Sequence, residues 1–128
     1  MSLTAICLMA GALTVKVPAT HFTLVWRHSI EKIDWSEDYV IKGDKLFLKA
    51  AHVQGDGAGM EPPPDSVFDP VNAYWTYHPK LPLLPELNLA RSHFTQDYRL
   101  CIDGKCTSMN DLVPIAAGGS LTVKPCTP

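Results

Sequence analysis

The chain has 128 residues, of which 46% are hydrophobic and 19% charged, with 11 basic against 13 acidic side chains for a formal charge of −2. That composition suits one globular domain over residues 1–128. The near-neutral charge, with no basic cluster, argues against nucleic acid or an anionic membrane surface as the main partner. Eleven prolines and eight glycines would interrupt helices often, so strands and loops are favoured.

The first apolar run, "LTAICLMAGALTV", is too short to span a bilayer, which takes about 20 apolar residues. No positive n-region precedes it and Lys16 follows at once, so it is a poor signal peptide. It reads as two buried strands, Thr4–Met9 and Leu13–Val17, turning at Gly11-Ala12; a leader or anchor removed from the N-terminus stays compatible with this. "HFTLVWRH" alternates Phe22, Leu24 and Trp26 with Thr23, Val25 and Arg27, the period of a strand with one buried face. Glu37–Lys42 repeats the pattern with Tyr39 and Ile41, and Gly43-Asp44 joins it to Lys45–Gln54 as a hairpin.

Further along, "YWTYHP" is aromatic and β-prone, and "KLPLLPEL" holds too much proline for a helix and runs extended. "DYRLCI", "KCTS" and "SLTVKPC" complete the strands, and "MNDLVPI" starts a helical turn with Asn110 as its cap. The expected class is an all-β single domain, an antiparallel sandwich or partly open barrel with little helix.

In "CIDGKC" the Asp103-Gly104 pair is a two-residue hairpin signal. It pairs Ile102 with Lys105 and sets Cys101 opposite Cys106 at the next, closely spaced position, where a disulfide fits. Two reduced thiols or two arms of a metal site are the alternatives, and no second Cys/His pair stands at zinc-like spacing. Cys7 and Cys126 would join the terminal strands; of three possible connectivities, Cys101–Cys106 with Cys7–Cys126 is favoured. The even count points to an oxidising compartment.

Two polar segments carry the functional question. "WRHSIEKIDWSED" gathers His28, Ser29, Glu31, Asp34, Glu37 and Asp38, and His28 beside a carboxylate has the makings of a general base. A solvated inter-strand connection accounts for the same residues, and recognition by Arg27, Ser29 and Glu31 is the other use. "GDGAGMEPPPDS", with Asp56, Gly57 and Gly59, lacks the P-loop and EF-hand patterns. Its glycines permit an anion-binding nest, and equally a bulge followed by an extended crossover. The five histidines form no local ligand pair, and no cofactor or metal is expected. Trp26, Trp35, Trp75 and Tyr77 suit a core or a pocket wall.

"FTLVWRHSIEKIDWSEDYVI", "GDGAGMEPPPDSVF", "LPELNLARSHFTQDYRLC" and "DGKC" together resemble a bacterial family, domain of unknown function eighteen-fifty. The resemblance runs from Phe22 to Cys106 and rests on His28-Ser29-x-Glu31, Glu37 and Gly55-x-Gly57-Ala58-Gly59. It implies a small exported protein, periplasmic or held in the cell envelope, often encoded beside TRAP transporters of the TAXI type, and it supplies no reaction. The leading expectation is a non-enzymatic accessory domain that binds transporter components or a small anionic solute, with "HSIEK" and "GDGAGME" meeting as one face. The alternative is a small hydrolase-like enzyme using His28 with Glu31 or Glu37. A cation site built from Glu31, Glu37, Asp38 and Asp56 is a third.

Overall fold

The computed structural model describes residues 2–27, 33–54, 65–92, 96–115 and 119–128. In chain order these form β1 (Ala5–Ala10), β2 (Leu13–Pro18), β3 (His21–Arg27), β4 (Asp34–Lys42), β5 (Lys45–Gln54), β6 (Val67–Asp69), β7 (Tyr74–Tyr77), β8 (Leu87–Ala90), β9 (Arg99–Ile102), β10 (Lys105–Ser108), α1 (Met109–Leu112) and β11 (Ser120–Cys126). They assemble into a four-stranded sheet, β2-β1-β11-β8, and a seven-stranded sheet, β10-β9-β3-β4-β5-β7-β6. All the strand pairs are antiparallel. The fold is an all-β sandwich, and neither sheet closes into a barrel.

Alternation builds the core. Ile6, Leu8 and Ala10 of β1, with Leu121 and Val123 of β11, face Phe22, Leu24, Tyr39, Ile41, Leu46, Leu48 and Leu100 of the larger sheet. Phe22 and Tyr39, directly paired across β3 and β4, stack at 5.4 Å. The proline-rich run crosses between the sheets at Leu84, whose N–H and C=O both bond to the backbone of Leu46. Beyond it the chain enters β8, an edge strand that shares only Leu87 with the expected extended run and continues through Ala90.

The expected hairpins are present. Asp103 and Gly104 both take positive φ, as a type I′ turn requires, and Cys101 pairs with Cys106. The disulfides are Cys101–Cys106 and Cys7–Cys126, and no described cysteine is free. Two cross-links in so short a chain fit an oxidising environment. Cys7–Cys126 ties β1 to β11, the two central strands of the smaller sheet.

Several boundaries differ from expectation. β4 begins at Asp34, three residues before the expected Glu37, because the pairing with β3 continues through Trp26↔Trp35 and Arg27↔Asp34. Asn110 does not cap α1. The cap position belongs to Ser108, and the Asn110 Oδ1 accepts the Ile115 N–H at 2.9 Å beyond the helix. Among the described residues, no helix is long and apolar enough to cross a membrane.

Candidate functional site

A bulge in β5 decides what the larger sheet displays. From the turn, Lys42↔Lys45 through Tyr39↔Leu48 keep one register; past the irregularity at Asp38/Tyr39 the pairs become Asp38↔Ala50, Glu37↔Ala51, Ser36↔His52 and Trp35↔Val53. One extra residue on β5 swaps the faces of every position after it. Ala51 and Val53 therefore turn inward, and His52 turns outward.

On the inner face two rows of side chains run across the strands. One row reads Trp26, Trp35, Val53, Trp75 and Phe68, and the next reads Leu24, Glu37, Ala51 and Tyr77. Trp26 stacks on Trp35 and tilts against Tyr98, both at 6.3 Å, and Phe68 tilts against Trp75 at 5.0 Å. Ala51 and Val53 are buried (1% and 5% exposed), yet they stand apart from the main core cluster. On this part of the inner face the small side chains of Ala51 and Val53 lie between Trp35 and Glu37 of β4 and Trp75 and Tyr77 of β7.

Glu37 is the one acidic side chain in these two rows. Its Oε1 accepts the Tyr39 hydroxyl at 3.0 Å. Burial raises its carboxyl above the ordinary value of 4.5, and the Tyr39 hydrogen bond offsets part of that rise. The same carboxyl adds to the rise that burial causes in Tyr39, Tyr77 and Tyr98, so all three phenols stand near it. A carboxyl with a raised folded value binds its proton more tightly folded than unfolded. Stability therefore falls as pH climbs from 4.5 through that raised value. Glu37→Gln should raise the melting temperature at pH 7 by about 2 °C or more, and scanning calorimetry should show the gain closing below pH 4.5.

The outer face carries a different network. Thr23 donates to Asp38 Oδ1 at 2.7 Å, Asp38 Oδ2 meets His52 Nε2 at 2.8 Å, and His52 Nδ1 meets Thr76 Oγ1 at 2.8 Å. These bonds lace β3, β4, β5 and β7 together, and the His52 contact is the main reason that the Asp38 carboxyl lies below its ordinary value. An open cleft of about 380 Å³ lies over His52 and Thr76, rimmed by Ser36, Asp69, Asn72 and Tyr74. No sequence signal singled out His52, because the bulge alone brings it to the face that Asp38 occupies.

Arg27 is also on the outer face. It shares Asp34 with Arg99, at 3.4 and 3.2 Å. Arg27 and Glu37, both candidate binding residues, thus face opposite sides of the sheet. Glu37 and Asp38 are likewise separated by the pleat, so the two cannot ligate one cation as the third expectation required. Among the described residues no group of three or more His, Cys, Asp or Glu side chains is placed to hold a metal ion. His28, Ser29, Glu31, Asp56, Gly57 and Gly59 lie outside the described residues. The ends that flank these segments do meet: the Asp34 N–H, opening β4, donates to the Gln54 side chain, closing β5, at 2.8 Å. The described ends of β4 and β5 therefore meet at one end of the sheet, beside Trp35.

One family model, described as domain of unknown function (DUF1850), matches residues 22–109. No curated protein and no solved structure matches the chain.

Proposed function

The chain belongs to the DUF1850 family, and from that premise we propose that it is an exported, non-enzymatic recognition domain, periplasmic or held in the envelope, that assists TRAP-type solute uptake. The family resemblance supports the transport link, and the two disulfides support an oxidising compartment outside the cytoplasm. The observation that carries a recognition role is the Asp34–Gln54 junction. It brings together Asp34, which opens β4, and Gln54, which closes β5, at one end of the sheet near the half-buried Glu37 and its aromatic neighbours.

The test is a pull-down from envelope extract with tagged protein, probing for the products of the neighbouring transporter genes. Retention of a transporter subunit, reduced about tenfold or more by His28→Ala and Glu31→Ala, is the expected result. No retained subunit, or retention indifferent to both substitutions, overturns the reading.

A further inference from the structure

We infer that the outer-face cleft over His52 and Thr76 is a binding site for a neutral, polyhydroxylated small molecule, a sugar or similar polyol. It lies on the face of the larger sheet away from Glu37 and stands independently of the transport reading. Room, polarity and charge each point to that class.

The cleft offers about 380 Å³ of space, within the range of ~300–1,000 Å³ usual for small-molecule sites. Its floor is one row across β4, β5 and β7, in which Ser36 pairs with His52 and His52 with Thr76. Tyr74 stands two residues before Thr76 on β7 and so shares its face, with Asp69 opposite it on β6. Asn72 rims the cleft from the turn between those strands. That turn is pinned in place: Asp69 Oδ1 accepts the Val71 N–H at 2.9 Å, and Oδ2 accepts the Asn72 amide Nδ2 at 2.8 Å.

Asp38 sets the hydrogen-bond polarity of the floor. Its carboxyl is held below the ordinary value and only accepts, so His52 Nε2 carries the proton between them. In the neutral ring Nδ1 is then the acceptor, and the Thr76 hydroxyl donates to it. Thr76 therefore shows the cleft oxygen lone pairs and no proton. The Asn72 amide likewise gives an N–H to Asp69, which leaves its carbonyl oxygen open. Among the described residues nothing bonds to the hydroxyls of Ser36 and Tyr74, and each can donate or accept. With Asp69 added, acceptors outnumber donors, and a ligand rich in O–H groups complements that balance.

Charge disfavours the alternatives. The lining holds one carboxylate, Asp69, and no lysine or arginine, and its histidine is already paired with Asp38. Arg27 and Arg99, on the same face, are committed to Asp34. An anionic solute would oppose Asp69 with no free cation to offset it. An ammonium would gain little, because Asp69 already accepts three N–H bonds from its own turn, and a lone ion pair in an open cleft contributes little. A polyol needs no charge partner, and the Tyr74 ring supplies apolar surface for its C–H groups.

D-glucose, D-galactose and D-mannose, each with its uronate and its 2-amino form, probe the cleft while charge alone is varied. Backbone-amide NMR titration of the purified protein should show at least one hexose shifting Ser36, His52, Tyr74 and Thr76 together, saturating below about 50 mM. Its uronate should bind at least about fivefold more weakly, and its amino form no more tightly than the hexose. Thr76→Val keeps the β-branched shape without the oxygen, and Ser36→Ala removes the uncommitted hydroxyl. Each should weaken that hexose by about fivefold or more. Thr23→Val breaks the same hydrogen-bond chain at its far end, outside the cleft, and should change binding by less than about twofold. Three results each overturn the assignment: silence to every hexose at about 50 mM, a uronate or amino sugar that binds more tightly than its hexose, and equal losses from Thr23→Val and Thr76→Val.

Discussion

Replacing Cys7 and Cys126 together by alanine should destabilise the fold by about 5 kcal/mol, whereas replacing Cys101 and Cys106 should cost about 2 kcal/mol. The difference comes from the unfolded chain. Cys7–Cys126 spans 119 positions and Cys101–Cys106 spans 5, and the entropy removed by a cross-link grows with the logarithm of the loop it closes. Here the long loop takes in nearly the whole molecule. Its bridge also joins β1 to β11, whose pairing from Ala5↔Cys126 to Met9↔Thr122 forms the centre of the smaller sheet. Without the bridge, that pairing must be found across almost the full chain length before the sandwich can close. For a domain of this size the expected loss in melting temperature is about 15 °C or more for the terminal pair and about half of that or less for the hairpin pair. Calorimetry of the two double variants decides the matter, and a larger loss from the Cys101/Cys106 variant would refute the ordering.

The same disulfides show where sequence reasoning reaches furthest. Asp103-Gly104 is a local turn code, so the register of β9 and β10 and the facing cysteines follow from six residues. The alternation of Phe22, Leu24 and Trp26, and that of Tyr39 and Ile41, is equally local and marks the buried face of each strand, whereas the pairing that stacks Phe22 on Tyr39 is a contact between strands that neither pattern encodes. β6 and β8 were harder. They are short edge strands of 3 and 4 residues, and each owes its conformation to a neighbour, Trp75 across from Phe68 and Leu121 across from Leu89. Nothing within three or four residues could encode that.

The candidate site was legible only in pieces. Glu37 stood out by resemblance, but its surroundings depend on the bulge in β5. Carried straight through from Lys42↔Lys45, the hairpin register would set His52 opposite Trp35 on the inner face and would pair Glu37 with Ala50. The bulge instead turns Ala51 and Val53 inward and joins His52 to Asp38. Its trace is present in "KLFLKAAHVQ": the inward apolar positions step from Leu46 to Leu48 by two, then to Ala51 by three, then to Val53 by two. A period-two pattern that skips once marks an extra residue in a strand. Here that skip determines which chemistry each face of the sheet presents.

Arg91→Met should destabilise the protein by about 3–5 kcal/mol, because it strips one member from a buried ion pair and leaves the other. The Arg91 side chain has no exposed surface, and that of Asp97 is 15% exposed. The guanidinium grips Asp97 with both arms, Nε to Oδ1 at 3.1 Å and Nη2 to Oδ2 at 2.7 Å. Nη2 also donates to the Val113 carbonyl at 2.7 Å. Arg91 follows β8 of the smaller sheet, Asp97 leads into β9 of the larger, and Val113 closes α1, so one side chain links both sheets to the helical turn. Arg91→Lys should recover only part of the loss, since an ammonium cannot hold two carboxylate oxygens and a carbonyl in one planar fork. Asp97→Asn should also be severe, since it leaves the guanidinium buried beside a neutral amide. The decisive variant is Arg91→Met with Asp97→Leu. Once both charges are gone no uncompensated ion remains, so this double substitution should be more stable than Arg91→Met alone. Urea denaturation of the wild-type protein, Arg91→Met, Asp97→Leu and the double variant reads the coupling directly. Additive losses in the double variant would mean that Arg91 acts through its packing on the surrounding chain rather than through Asp97.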